Sequence, residues 1–208
     1  MRSVSERLVV IVGVVVLAAI IAFILILPHI GAPTSVSQSR QGSSVASAAS
    51  ETLGGSWTVL TNSSGVVTFN LQNSSAEVTY LNGTKTVEPL SGPMSIQVGM
   101  GSLSVGYPST LYGYLLVSAN RTYWLLISIM EYPNSTVPSQ IISALESQSG
   151  QTATAASGLS YFATQYGGYT VLIGSSGDYL VYMFGNYTAT TQSYASLAQR
   201  VIGLVGGP

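Results

Sequence analysis

The 208-residue chain has no cysteine. That excludes thiol nucleophiles, thiolate metal sites and disulfide staples, so any folded part must be held by an ordinary apolar core. Charge is also scarce: 6 % of residues are Asp, Glu, Lys or Arg, against about 25 % in ordinary soluble domains. So few cations form no basic patch, which argues against nucleic acid as a partner. Lys85 is the one lysine, and Gly99-Met100-Gly101 lacks the strand–GxxxxGK–helix setting of a phosphate loop, so no nucleotide site is expected. His29 is the one histidine. With no second histidine and no cysteine, Ser-His-Asp and Cys-His sites and the common zinc sites are excluded from the domain, and no metal, cofactor or catalytic residue is assigned. A carboxylate pair as in glycosidases is the remaining catalytic chemistry, with Glu131 and Asp178 near the ends of neighbouring candidate strands. Acids at strand ends are more often simply solvated, so the chain is read as non-enzymatic.

One long apolar run stands against this background. Leu8 to Leu27 reads LVVIVGVVVLAAIIAFILIL, without a charge. As a helix at about 1.5 Å per residue it spans about 30 Å, the thickness of a bilayer's hydrocarbon core, with its backbone satisfied internally. Arg2 and Arg7 precede it, and the next cation is Arg40. The positive-inside rule therefore predicts residues 1–7 in the cytoplasm, 8–27 in the lipid bilayer and the remainder outside the cell membrane. His29 would sit at headgroup level. A cleaved signal peptide is the alternative, with Ile30-Gly31-Ala32 as the nearest small-residue site. Gly13, Ala18, Ala19 and Ala22 would also let the span pack closely on another helix, as in an accessory subunit of a membrane complex.

Six of the seven asparagines, Asn62, Asn73, Asn82, Asn120, Asn134 and Asn186, lie in the N-glycosylation pattern Asn-x-Ser/Thr; Asn70 alone does not. With about a quarter of the residues Ser or Thr, chance predicts roughly two such matches. All six follow the apolar run, on the side assigned to the cell exterior.

Residues 34–50, TSVSQSRQGSSVASAAS, have almost no large apolar side chain. Residues 28–52 are therefore expected to be a flexible stalk, with a short docked helix from Val45 to Leu53 as the alternative. A domain spanning 53–208 is expected beyond it. Short β-branched and aromatic runs predict strands at Trp57 to Leu60, Val66 to Leu71, Glu77 to Leu81, Thr86 to Leu90 and Met94 to Val98, then Tyr112 to Ala119 and Tyr123 to Tyr132. The run YWLLISIMEY is apolar on both faces and reads as a central, covered strand. A helix over Val137 to Ser147, a polar loop at 149–157, strands at Leu159 to Gln165, Tyr169 to Ile173 and Tyr179 to Phe184, and an amphipathic helix over Thr190 to Val205 complete the pattern. Tyr114, Leu125 and Tyr132 recur 55 residues later as Tyr169, Leu180 and Tyr187, suggesting a duplicated strand–strand–helix unit. The expected class is α+β: a mostly antiparallel sheet with two helices, one of them C-terminal. A β-sandwich is the alternative. The thirteen tyrosines are read mainly as sheet residues, and where exposed as platforms for sugars or another protein.

Two resemblances add to this. Arg2-Ser3-Val4-Ser5-Glu6 followed by the apolar run resembles the start of archaeal type IV pilins, which implies processing near Ser3 and assembly into a filament through the apolar helix. The charge-poor, hydroxyl-rich exterior is similar to that of surface proteins of thermoacidophilic archaea. At pH 2–3 its basic residues leave only about +4, which limits self-repulsion. The function expected is that of a membrane-anchored extracellular glycoprotein binding or supporting an envelope protein or glycan.

Overall fold

The computed structural model describes residues 40–90, 95–98, 101–104 and 106–206. The apolar run 8–27, the tip 1–7, His29 and the stalk up to residue 39 lie outside them. Among the described residues no helix is long and apolar enough to cross a membrane.

The first described element is a helix, α1 (Arg40–Leu53), followed by β1 (Trp57–Val59), a 3-10 turn at Thr61–Ser63, β2 (Gly65–Asn70), β3 (Ser75–Tyr80) and β4 (Lys85–Pro89). A hairpin β5 (Ser95–Val98) and β6 (Gly101–Ser104) precedes β7 (Thr110–Ser118) and β8 (Trp124–Glu131). Then come α2 (Thr136–Ser149), β9 (Thr154–Ala156), β10 (Leu159–Tyr166), β11 (Tyr169–Ser176), β12 (Tyr179–Gly185) and α3 (Thr191–Val205). Every ladder is antiparallel, and ten strands form one sheet ordered β4-β3-β2-β7-β8-β12-β11-β10-β9, with β1 also on β7. The class is α+β. Both faces of the sheet are packed by helices, so the sandwich alternative does not describe it.

β1 and β2 share one edge of β7, interrupted by the 3-10 turn. The interruption leaves no orphan: Leu60 N–H donates to Leu115 O (2.8 Å), and Leu115 N–H donates to Ser64 Oγ (2.9 Å). β8 is the covered central strand that its two-faced apolarity predicts. Leu125, Ile127 and Ile129 face α1 and α3, while Met130 faces α2. Each such fully buried side chain contributes about 1.5–3 kcal/mol.

Three expectations are corrected. The described residues hold three helices, not two. The third is α1, which contains the docked helix Val45 to Leu53 given as the alternative to a stalk and begins earlier, at Arg40; its buried stripe of Gly42, Val45, Ala46, Ala49 and Leu53 packs on the domain. Second, Thr154–Ala156 within the expected polar loop is an edge strand on β10. Third, the 55-residue offset holds for the starts of the second strand and the helix of each unit, since β8 and β12 begin at Trp124 and Tyr179 and α2 and α3 at Thr136 and Thr191, but not for the first strands, β7 and β11, which begin at Thr110 and Tyr169. It fails in three dimensions: Leu125 faces α1 and α3, whereas Leu180 faces α2. β8 and β12 are adjacent and antiparallel, so a two-fold between them would keep both helices on one face. They lie on opposite faces, so the two units have opposite hand and are not a structural duplication.

Candidate functional site

Five of the six acceptor asparagines fall in connections between elements and Asn62 in the 3-10 turn, whereas Asn70, outside the pattern, ends β2. Three of them share one geometry. Asn82 Oδ1 accepts the Thr84 N–H (2.9 Å), Asn120 Oδ1 the Thr122 N–H (3.1 Å) and Asn134 Oδ1 the Thr136 N–H (2.9 Å). In each case the donor is the hydroxyl residue of the acceptor pattern. Asn side chains favour such turns because the amide oxygen stands in for a backbone carbonyl. At Asn134 the bond also satisfies the first backbone N–H of α2. Asn73 Oδ1 accepts the Ser75 hydroxyl instead (2.8 Å). These four residues are exposed, while Asn62 and Asn186 are half-buried. Asn82 Nδ2 donates to Asn62 Oδ1 (2.9 Å), so these two acceptor positions touch.

Asn186 is bound differently. Its backbone N–H donates to Trp124 O (3.2 Å), its Oδ1 accepts the Trp124 N–H (2.7 Å), and its Nδ2 donates to Thr122 O (3.1 Å). Gly185, one residue earlier, permits this. A Cβ there would lie 2.5 Å from Trp124 O and 3.1 Å from Leu125 Cα, so only glycine lets β12 come this close to β8.

The same end of the sheet carries a group of aromatic side chains on each face. On the α2 face, Trp124 meets Phe184 edge-on at 5.1 Å, and Tyr169 stacks on Phe184 at 5.4 Å. On the other face, Tyr187 takes Trp57 and Tyr123 edge-on, each at 5.2 Å. Tyr169 is 44 % exposed and Tyr123 37 %, whereas Tyr114, Tyr182 and Tyr194 are buried. Some tyrosines thus belong to the core and others to an aromatic rim. Their strand positions were readable from the sequence, but this division was not, because it depends on which strands become neighbours. The rim is uncharged and offers flat apolar surface with a few hydroxyls, suited to stacking and not to proton transfer.

Glu131 and Asp178 do lie at one end of neighbouring strands, but not as opposed partners. Glu131 is in register with Tyr179, and Asp178 O accepts the Tyr132 N–H (2.9 Å). Successive register positions point to opposite faces. Glu131 is half-buried beside Tyr112, whose hydroxyl is 3.5 Å from its Oε2, and Asp178 is exposed in the β11–β12 turn. Burial, and then the Glu131 charge, push Tyr112 and Tyr179 above the ordinary tyrosine range. Among the described residues no three His, Cys, Asp or Glu side chains gather as metal ligands. An open groove beside α1 is lined by Ser43, Ala46, Ser47, Ser50, Glu51 and Trp57.

No family model matches the chain, and no curated protein does. Among solved structures it is similar to the extracellular domain of PknH from Mycobacterium tuberculosis, at 12 % identity over 50 % of this chain and 68 % of that one, with a TM-score of 0.35. A likeness at that level carries no argument about function.

Proposed function

We propose that this protein is a non-enzymatic extracellular glycoprotein, anchored in the cell membrane through residues 8–27 with its N-terminus cytoplasmic. Its domain binds or supports another component of the cell envelope, a protein or a glycan. The observation that carries the reading is the placement of the acceptor asparagines: Asn73, Asn82, Asn120 and Asn134 lie exposed in connections between elements, where an attached sugar leaves the sheet ladders intact. The nearly uncharged exterior agrees with it, since glycans and hydroxyl groups keep such a surface wet without charge. The aromatic rim around Trp124, Tyr169 and Phe184 is the surface best suited to an uncharged partner.

The test is to extract the protein from its native membrane and measure its intact mass and its N-terminal peptide together. A mass well above the 21.6 kDa polypeptide with an unprocessed N-terminus is the expected result. Unmodified mass, or a terminus near Pro33, overturns it. Turnover abolished by Glu131→Gln or Asp178→Asn would overturn the non-enzymatic part.

One observation favours a second reading, the pilin-type filament subunit. α1 follows the apolar run in sequence and packs a stripe of small side chains on the sheet, a helix-then-sheet order that suits a subunit joined to a filament core. A mature N-terminus at Val4 would establish that reading and displace the first.

A further inference from the structure

We infer that Asn186, although in an acceptor pattern, is the clamp closing the aromatic end of the sheet and not a sugar acceptor, its amide nitrogen being spent on Thr122. The inference rests on the glycoprotein reading only for the other positions, and its structural half stands without it.

The amide orientation follows from its partners. The Trp124 N–H can only donate and Thr122 O can only accept, so Oδ1 must face the first and Nδ2 the second. Both partners lie within one three-residue stretch, on the side of the chain turned toward β12. The bonds therefore use the edge of the planar amide where the oxygen and the N–H cis to it point the same way. A sugar on Nδ2 makes a secondary amide, which keeps its substituent trans to Cβ and hence cis to the oxygen, the other arrangement costing about 2.5 kcal/mol. Sugar and Thr122 O thus compete for one position. Together with the backbone N–H, the side chain makes three bonds to residues 122–124, extending the β12–β8 ladder past the point where Gly185 draws the strands together. Asn73, Asn120 and Asn134 differ: their oxygens are tied, their amide nitrogens make no bond to any described residue, and all three are exposed.

The Asn186-Tyr187-Thr188 pattern allows the two roles to be separated, because Thr188 is exposed and outside the clamp. Thr188→Ala destroys the acceptor pattern and leaves the clamp. Asn186→Ala destroys both. Asn186→Asp keeps the acceptor for Trp124 but turns a carboxylate toward Thr122 O, and protonation in acid restores a donor there. Full-length wild type and variants from the native membrane are mapped by peptide mass spectrometry and melted in detergent at pH 7 and pH 3. The expected result is sugar on Asn73, Asn120 or Asn134, a bare Asn186, and Thr188→Ala matching wild type in attached sugar mass and in melting. Asn186→Ala melts roughly 5 °C lower, and the deficit of Asn186→Asp shrinks at pH 3. Sugar on Asn186, or sugar mass lost in Thr188→Ala, overturns the inference, as does equal melting of Asn186→Ala and Thr188→Ala. Absence of sugar everywhere refutes the glycoprotein reading alone, and the melting comparison still decides the clamp. Should Asn186→Ala fail to accumulate, the pH dependence of Asn186→Asp decides it, and a deficit equal at both pH values overturns the clamp.

Discussion

Tyr114 and Tyr182 bury their hydroxyls on opposite faces of the sheet with no hydrogen-bond partner among the described residues. An unpaired buried hydroxyl costs free energy, whereas a phenyl ring of the same shape does not. Tyr182→Phe is therefore expected to leave stability unchanged or raise it by about 1 kcal/mol, measured by urea unfolding. Tyr194 is equally buried but paired, donating to Tyr187 O at 2.7 Å, while Tyr187 in turn donates to Leu53 O at 3.0 Å. Tyr194→Phe is expected to lose about 1–2 kcal/mol in the same assay, so the two substitutions differ in sign for a stated structural reason. In sequence these tyrosines look alike; what separates them is whether a carbonyl from a distant element arrives at the hydroxyl.

At the scale of elements, α1 is the instructive case. Its Ser/Ala composition matches a flexible stalk, and short helices of that kind are marginal in isolation. The stripe Gly42, Val45/Ala46, Ala49, Leu53 has helical spacing, but small residues give it little weight in any hydrophobicity count. Packing decides otherwise: small side chains let α1 lie close on α3, and Trp57 Nε1–H donates to Gly54 O just past the helix end (2.9 Å). Hydrogen exchange is expected to show the amides of Ala46 to Leu53 protected to the level of α3, where a stalk would exchange at once. Ala49→Asp, which buries an unpaired charge, is expected to destabilise the fold by about 3 kcal/mol or more. β9 escaped sequence reading for a related reason. Thr154-Ala155-Ala156 has no apolar alternation and is a strand only because β10 offers an edge.

The whole molecule responds asymmetrically to pH. Two ion pairs, Lys85–Glu77 and Arg200–Glu51, occur among the described residues, and both are exposed. The Lys85 ammonium holds the Glu77 carboxyl below its usual range. Its contribution is present above the unfolded value and lost as pH falls through the folded one, and exposure leaves it small. Burial pushes Tyr132 and Tyr194 up to about 12 and raises Tyr114 and Tyr182 further. An unfolded tyrosine ionises near pH 10, so above that the unfolded state binds fewer protons and stability falls as pH rises. Below it these groups have no effect. Melting temperature is expected to change little from pH 7 to pH 3 and to fall above about pH 10, where stability drops by up to about 1.4 kcal/mol per pH unit for each buried tyrosine. A steep loss in acid would contradict this account of the charge-poor surface.

By itself the sequence determined where most strands and the C-terminal helix lie, because alternation and helical spacing are local. The covered β8 and the amphipathic α3 were legible within a few residues of themselves. Strand order, the opposite faces of α2 and α3, the docking of α1 and the division of the tyrosines were decided only by tertiary structure. So was the distinct state of Asn186. Each depends on contacts such as Trp124 with Asn186 or Leu53 with Tyr187, between segments far apart in the chain. Such pairings are selected by the joint burial of whole faces, and no local pattern records which faces will meet.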